Sequence, residues 1–171
     1  LACDDLAAAR RWADDTVAVV PGWHRMVALT ARACVALPQG ELQQAARDAH
    51  EAIAMCADMR AYVKLPDALE CLARLASASG SHQNAARLFG AAAAVRKVTG
   101  EVRFAVFDAD FDAAVELSRN TLGQDDFDAA WTEASQLSLD EAIAYAQRGY
   151  GERKRPADGW ESLTPAERDV V

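Results

Sequence analysis

The residue patterns that could do chemistry each lack a required member. Asp108-Ala109-Asp110-Phe111-Asp112 has the alternating carboxylates that open a calcium-binding loop. Such a loop needs glycine at its sixth position and glutamate at its twelfth, where this chain has Ala113 and Arg119. We therefore expect these acidic residues in the first turn of a helix, where the helix dipole favours negative charge.

Histidine and cysteine patterns predict neither a zinc site nor a nucleophile. His50-Glu51 begins like a zinc-protease motif, but its fifth position is Ala54 rather than histidine. The cysteines are Cys3, Cys34, Cys56 and Cys71. They form no C-x-x-C pair and lie in alanine-rich surroundings, which is typical of reduced, half-buried thiols in a cytoplasmic protein. With no phosphate-binding loop and no G-x-S-x-G elbow, the segment is predicted to hold no catalytic, metal or cofactor-binding residue.

The composition predicts helices and argues against several partners. The chain has 171 residues, of which 51% are hydrophobic, and many of these are alanine, the strongest helix former. Its net charge of −8 makes this segment by itself a poor binder of DNA, which is a dense polyanion. No apolar run approaches the roughly 18 residues of a membrane span, so no membrane partner is expected.

A repeat of forty residues organises the chain. Residues 28–54 and 68–94 are identical at eleven of 27 positions, including the shared core Gly-x-x-Gln-x-Ala-Ala-Arg. Gly40 and Gly80 are expected to end one helix of a hairpin in the left-handed conformation. A weaker echo places residues 5–10 opposite residues 41–47, one residue shorter. Stacked hairpins bury the apolar stripe that one hairpin leaves exposed, which predicts a solenoid.

The predicted fold is all-α: stacked antiparallel helix hairpins in a TPR-like α-solenoid of about eight helices. Pro66 is expected in a first turn, or just after a late helix start near Leu65. The predicted helices are 4–20, 23–37, 41–58, 62–79, 82–99, 104–121, 124–136 and 139–149. Three regions follow: a repeat domain over 1–148, a linker over 149–160, and the truncated start of another domain over 161–171.

Aromatic side chains mostly fall on apolar helix faces, for which two interpretations stay open. The set comprises Trp12, Trp23, Phe89, Phe104, Phe107, Phe111, Phe127, Trp131 and Tyr145. Packing between hairpins is the first interpretation, and a groove that accepts a ligand or a partner helix is the second. Phe104, Phe107 and Phe111 have the spacing of one helix face, and with Trp131 they form the predicted groove. The small residues of 90–94 are expected to let two helices approach closely.

Several segments resemble large ATPase-linked transcriptional regulators of the LuxR family, of actinobacterial type. Leu163-Thr164-Pro165-Ala166-Glu167-Arg168-Asp169-Val170-Val171 resembles the opening of the LuxR helix-turn-helix domain. Thr164, Pro165 and Glu167 also fit the first turn of a capped helix. Residues 85–96, 122–131 and 137–146 resemble helices that precede that domain in this family.

The resemblance implies a regulatory relay in a large cytoplasmic protein. An upstream ATPase region, sometimes behind a cyclase-like domain, would bind ATP, and the downstream helix-turn-helix domain would bind DNA. The segment would hold no DNA-reading residue, and its partners would be those two domains, a protein partner or small inducer, and a second copy of the chain. Two alternatives stay open: a TPR-like interaction scaffold unrelated to transcription, and an enzyme with an unrecognised site in the groove.

Overall fold

A computed structural model describes residues 5–151, with side chains described through residue 148. This part of the chain is all-α, with eight α-helices, short 3-10 turns and no strand, which confirms the predicted fold class. The helices are α1 (Leu6–Val19), α2 (Gly22–Ala36), α3 (Leu42–Met59), α4 (Leu65–Ala78), α5 (His82–Thr99), α6 (Asp108–Leu122), α7 (Gln124–Ala134) and α8 (Leu139–Gly151). None of these helices is long and apolar enough to cross a membrane.

The repeat is visible in the two turns that separate its helices. Gly40 and Gly80 have φ of +76° and +77°, which is the left-handed conformation predicted for them. After α2, the Glu41 N–H donates to the carbonyl of Ala36 at 2.9 Å. After α4, forty residues later, the Ser81 N–H donates to the carbonyl of Ala76 at 2.8 Å. Both turns are Schellman motifs, so the sequence repeat is also a structural repeat.

Antiparallel hairpins form the body of the molecule. α2 packs along α3, and α4 packs along α5, while α3 also packs against α4. α6 lies on α4 and α5, and α7 lies along α5. Gly90 makes this last contact possible, because a Cβ there would overlap the carbonyl oxygen of Trp131. The predicted close approach at residues 90–94 is therefore confirmed.

Several predicted boundaries need correction. The helix predicted over 104–121 begins at Asp108, because residues 105–107 form a 3-10 turn and Phe104 is extended. α4 begins at Leu65, which confirms the late start, and Pro66 lies in its first turn. α8 continues through Gly151, into the start of the predicted linker. The rest of that linker and the predicted domain start at 161–171 lie outside the described residues.

α8 begins at a capping box and folds back onto the body. The Ser138 N–H donates to the Glu141 carboxylate at 2.9 Å, and the Glu141 N–H donates to the Ser138 hydroxyl at 3.3 Å. The Ser138 hydroxyl also donates to the Glu141 carboxylate, at 2.7 Å, and the backbone and hydroxyl bonds from Ser138 to this charged group lower the pKa of Glu141. The helix then packs against α3 and α5, which belong to different hairpins. The last described helix therefore contacts both repeats.

Candidate interaction surfaces

An apolar groove runs between the first two helices, and we call it the α1/α2 groove. Its volume is about 730 Å³, and its wall is mostly apolar. The groove is lined by Ala9, Trp12, Ala13, Asp15, Thr16, Val19, Val20, Trp23, His24, Val27, Ala28, Ala31 and Val35. A wall of this kind favours contact with another apolar surface, such as the face of a helix.

Large side chains of this groove are open to solvent. Trp12 is 76% exposed, Val19 is 78% exposed and Trp23 is 38% exposed. Packing between hairpins was the first interpretation of Trp12 and Trp23, and the described residues do not bury them. An exposed apolar cluster of this kind makes the groove a candidate interaction site.

The next hairpin carries the same face in a buried form. α1 begins at Leu6 and α3 begins at Leu42, so residues counted from the two helix starts, without the one-residue gap of the sequence comparison, are 36 apart (42 − 6). The groove residues Ala9, Ala13, Thr16 and Val20 then correspond to Ala45, Ala49, Ala52 and Cys56 of α3. All four α3 residues have no exposed surface. The repeat therefore presents one face twice. It is fully covered in α3 and only partly covered in α1, where Ala13 is buried and Ala9, Thr16 and Val20 are half-buried.

α2 is the helix that covers this face of α3. The Arg32 guanidinium donates to both carboxylate oxygens of Asp48, at 2.7 and 2.8 Å. The Cys56 thiol lies 3.2 Å from the sulfur of Met26. Burial raises the pKa of Cys56 to about 12, so it is a packing residue rather than a nucleophile.

α2 also covers α4, through a pair of buried cysteines. Cys34 of α2 and Cys71 of α4 share a hydrogen bond. That bond lowers the pKa of Cys34 and, together with burial, raises the pKa of Cys71. α2 therefore sits across α3 and α4 together, as the first helix of its hairpin.

The predicted aromatic groove is divided between two environments. Phe111 and Trp131 both contact Phe89, with ring centroids 5.1 and 6.3 Å from its own. Phe107 is half-buried against the same core. Phe104 stands apart and is 60% exposed, with the Lys64 ammonium 4.7 Å from its ring centre. The four residues thus do not share one surface, and their role in binding stays a prediction.

A cluster of buried charges, which the sequence interpretation missed, fixes the segment that carries Phe104. Arg103 donates to both oxygens of Glu70 at 2.8 Å, and this bond raises the pKa of Arg103. Arg96 binds Glu70 at 2.9 Å, Asp67 at 3.1 Å, and Glu101. The members come from α4, α5 and the connection to α6, so no local spacing in the sequence announces them.

A second depression, which we call the α8 cleft, lies where α8 meets the body. Its volume is about 350 Å³, and polar and apolar side chains contribute about equally to its wall. It is lined by Ala46, His50, Leu72, Leu75, Ala76, Ser79, Ser81, Asn84, Leu88, Tyr145, Ala146 and Arg148. The Tyr145 hydroxyl donates to Asn84 at 2.7 Å and ties α8 to α5. A cleft of this mixed character suits a small ligand with an apolar body and a polar group.

Acidic residues singled out by the sequence pattern pair with arginines. Within residues 5–151, no group of three or more His, Cys, Asp or Glu side chains is placed to hold a metal ion. Asp108 and Asp110 lie in the first turn of α6, as expected, where they pair with Arg103 and Arg74. The described residues thus form an all-α helical-repeat array.

Comparison with known proteins places similar sequences in longer proteins. Relatives from Mycobacterium bovis and from two strains of Mycobacterium tuberculosis are named as HTH-type transcriptional regulators. Each is 57% identical over 171 residues, which is all of this chain and 19% of the relative. The chain thus spans about a fifth of the length of these relatives. No protein-family model and no solved structure matches it.

Proposed function

We propose that this chain is the helical-repeat relay of an HTH-type transcriptional regulator. It couples an upstream ATPase region to a downstream DNA-binding domain of LuxR type, inside the cytoplasm. The names of its relatives and their identity along the whole chain support the regulatory part of this proposal. The resemblance of residues 163–171 to the opening of a LuxR helix-turn-helix supports the LuxR part.

The observation that carries the relay is the placement of two surfaces along one helical array. The α1/α2 groove lies on the first two helices, and the α8 cleft lies under the last described helix. α8 contacts α3 and α5, which belong to different hairpins. A change in the stacking of the hairpins therefore shifts the seat of α8, and α8 leads into the segment that resembles a DNA-binding domain. Coupling of this kind needs two arrangements of a packed element rather than a reactive residue.

The α8 cleft is the place where a small inducer would act. A ligand between α8 and the body would bind one position of α8 better than another, and it would shift the equilibrium by that difference in affinity. Tyr145 and Asn84 would respond first, because their hydrogen bond crosses the cleft. ATP chemistry and DNA contact belong, in this proposal, to the regions upstream and downstream.

The test compares transcripts from cells that carry variants of the full-length protein. Tyr145→Phe removes the hydroxyl that joins α8 to Asn84, and Ala146→Glu forces a charge beneath α8, where Ala146 is buried. We expect both variants to change the transcripts that change when the gene is deleted. Tyr62→Phe, which alters a tyrosine outside the cleft, is the matched control and should leave them unchanged.

Protein abundance must be measured beside the transcripts, because Ala146→Glu can also unfold the domain. A normal abundance of Tyr145→Phe with altered transcripts supports the relay. If deletion of the whole gene leaves every other transcript unchanged, the role in transcription is wrong. The interaction scaffold would then be the better description of the chain.

A further inference from the structure

We infer that the α1/α2 groove is the seat of an amphipathic helix that precedes α1 in the same polypeptide. That helix would lie on α1 and α2 as α2 lies on α3 and α4. The inference rests on the proposed function, in which this chain is one segment of a longer regulator. The inference identifies what binds in the groove, which the proposed relay function does not specify.

The first support is that α1 has the register of a second helix in a hairpin. Residues 5–10 resemble residues 41–47, which open α3, and α3 in turn repeats as α5 forty residues later. Both α3 and α5 follow a first helix, α2 or α4, across a short glycine turn. By the same pattern, a first helix would precede α1 across a turn of similar length. It would place its apolar stripe on the groove.

The second support comes from α2, which forms the other wall of the groove. At the repeat shift of forty, Ala28 and Ala31 of the groove correspond to Ala68 and Cys71 of α4. Cys71 is buried under Cys34 of α2, and Ala68 has no exposed surface. At the positions compared, the small residues of both walls of the groove thus match residues that are buried in the next repeat.

The groove also predicts one property of its occupant. At the shift of 36, Trp12 stands where α3 has Asp48, the residue that binds Arg32 of α2. An indole offers apolar surface in place of a carboxylate. The occupant therefore should carry an apolar side chain at the position where α2 carries arginine. With Trp12 in place of an aspartate, the groove offers no carboxylate at this position to an arginine. The groove should therefore bind its own helix better than it would bind a copy of α2.

The same polypeptide is favoured over a second copy for a physical reason. A helix joined to α1 by a short turn is present at a high effective concentration, so it competes well against a separate molecule. The relatives are longer than this chain, since 81% of each (100 − 19) lies outside the match.

The test places a photoreactive side chain in the groove of the full-length protein. Trp12→p-benzoylphenylalanine captures whatever lies on the groove, and mass spectrometry identifies the linked peptide. Val102→p-benzoylphenylalanine is the control, because Val102 is 81% exposed and lies outside the groove. We expect position 12 to capture a peptide within one repeat length upstream of residue 1, and position 102 to capture none from that region. Mixing isotopically light and heavy protein separates links within one chain from links between two.

Each other outcome overturns the inference. A link between light and heavy chains would mean that a second copy of the chain occupies the groove. A link to a different protein would mean that a separate partner occupies it. If no link forms and Trp12 is oxidised by hydroxyl radicals as fast as exposed Phe104, the groove is open in the intact protein.

The transcript experiment separates this inference from the proposed function. An upstream helix captured at position 12, together with unchanged transcripts on gene deletion, would leave the inference standing and remove the relay. If Trp12 is accessible to solvent in the intact protein and Tyr145→Phe alters the transcripts, the relay would stand and the inference about the groove would be wrong.

Discussion

The face formed by α1 and α2 and the face formed by α3 and α4 are two copies of one repeat surface. They differ in how much of that surface is buried. In the second copy, α2 covers the surface, and Ala45, Ala49 and Ala52 lose all contact with solvent. In the first copy, the equivalent residues line a groove of about 730 Å³ whose rim holds two exposed tryptophans. The small residues of the two faces are alike, since Ala9 and Ala13 match Ala45 and Ala49. Their difference in burial therefore comes from the neighbour that each face has.

The comparison shows that a helical repeat is stabilised by its neighbours as much as by its own residues. Buried apolar area stabilises by about 25 cal/mol per Å², and an uncovered face gains none of this. The covered face also gains the paired charges of Arg32 and Asp48, which need the low polarity of an interface to bind strongly. The open face keeps only a wall of apolar side chains and so remains available for another element.

The largest expected difference between the faces is in thiol reactivity. Val20→Cys places a thiol in the groove at the position equivalent to buried Cys56. In the 171-residue chain at pH 8, we expect it to be alkylated at least about a thousandfold faster than Cys56, since Cys56 reacts only after unfolding. Mass spectrometry of each peptide gives both rates. Similar rates would mean that α2 does not protect α3.

The raised pKa of Cys56 adds a dependence on pH. Its folded pKa of about 12 lies above its unfolded value of about 9. The folded state therefore holds the proton more tightly, and this contribution to stability is complete below pH 9 and is lost as the pH rises toward 12. Urea unfolding of Cys56→Ala should accordingly depend less on pH between 9 and 11 than unfolding of the unaltered chain.

Next in size is the cost of a new carboxylate on each face. Ala52→Asp buries a charge beneath α2, where Ala52 has no exposed surface, and it should destabilise by about 4 kcal/mol. Thr16→Asp is the equivalent change in the groove and should cost less than about 1 kcal/mol in the 171-residue chain, because water reaches it. Urea denaturation of both variants measures the contrast. Equal losses would contradict the description of the first face as open.

A smaller difference is expected for the two carboxylates that bind Arg32. The side chain of Asp48 is 2% exposed, and that of Asp14 is 44% exposed. Asp48→Ala should cost about 2 kcal/mol because it leaves the guanidinium without its bidentate partner in an interface. Asp14→Ala should cost less than about 1 kcal/mol, as exposed ion pairs do. A larger loss for Asp14 would show that α1 and α2 form the tighter interface.

The smallest expected loss of stability comes from changing the glycine in the turn of each repeat. It tests whether the two turns contribute equally to stability. Gly40→Ala and Gly80→Ala each force alanine into the left-handed conformation, and each should destabilise by about 1 kcal/mol. Nothing lies within 4 Å of the added methyl group in either case, so backbone strain is the only cost. Unequal losses in urea denaturation would mean that one hairpin contributes more to the cooperative unit.

Much of the fold could be predicted because the signals are local. Gly40 and Gly80 mark their turns by themselves, since few other residues adopt a positive φ at low cost. The start of α6 could not be placed, because the aromatic spacing at 104, 107 and 111 imitates a helix face across a 3-10 turn. The charged cluster of Arg96 and Arg103 could not be foreseen either, because its members meet only when α4 and α5 pack.

The candidate groove shows the same limit. Trp12 and Phe89 have similar surroundings in the sequence, both apolar aromatics in alanine-rich helices, yet one is 76% exposed and the other is fully buried. The sequence by itself determined the helical class, the repeat of forty residues and the turns, because these follow from backbone preferences and from the spacing of apolar residues. Only the tertiary structure decided which apolar faces are covered. Periodicity shows that a face is apolar, whereas burial depends on whether another helix lies against it.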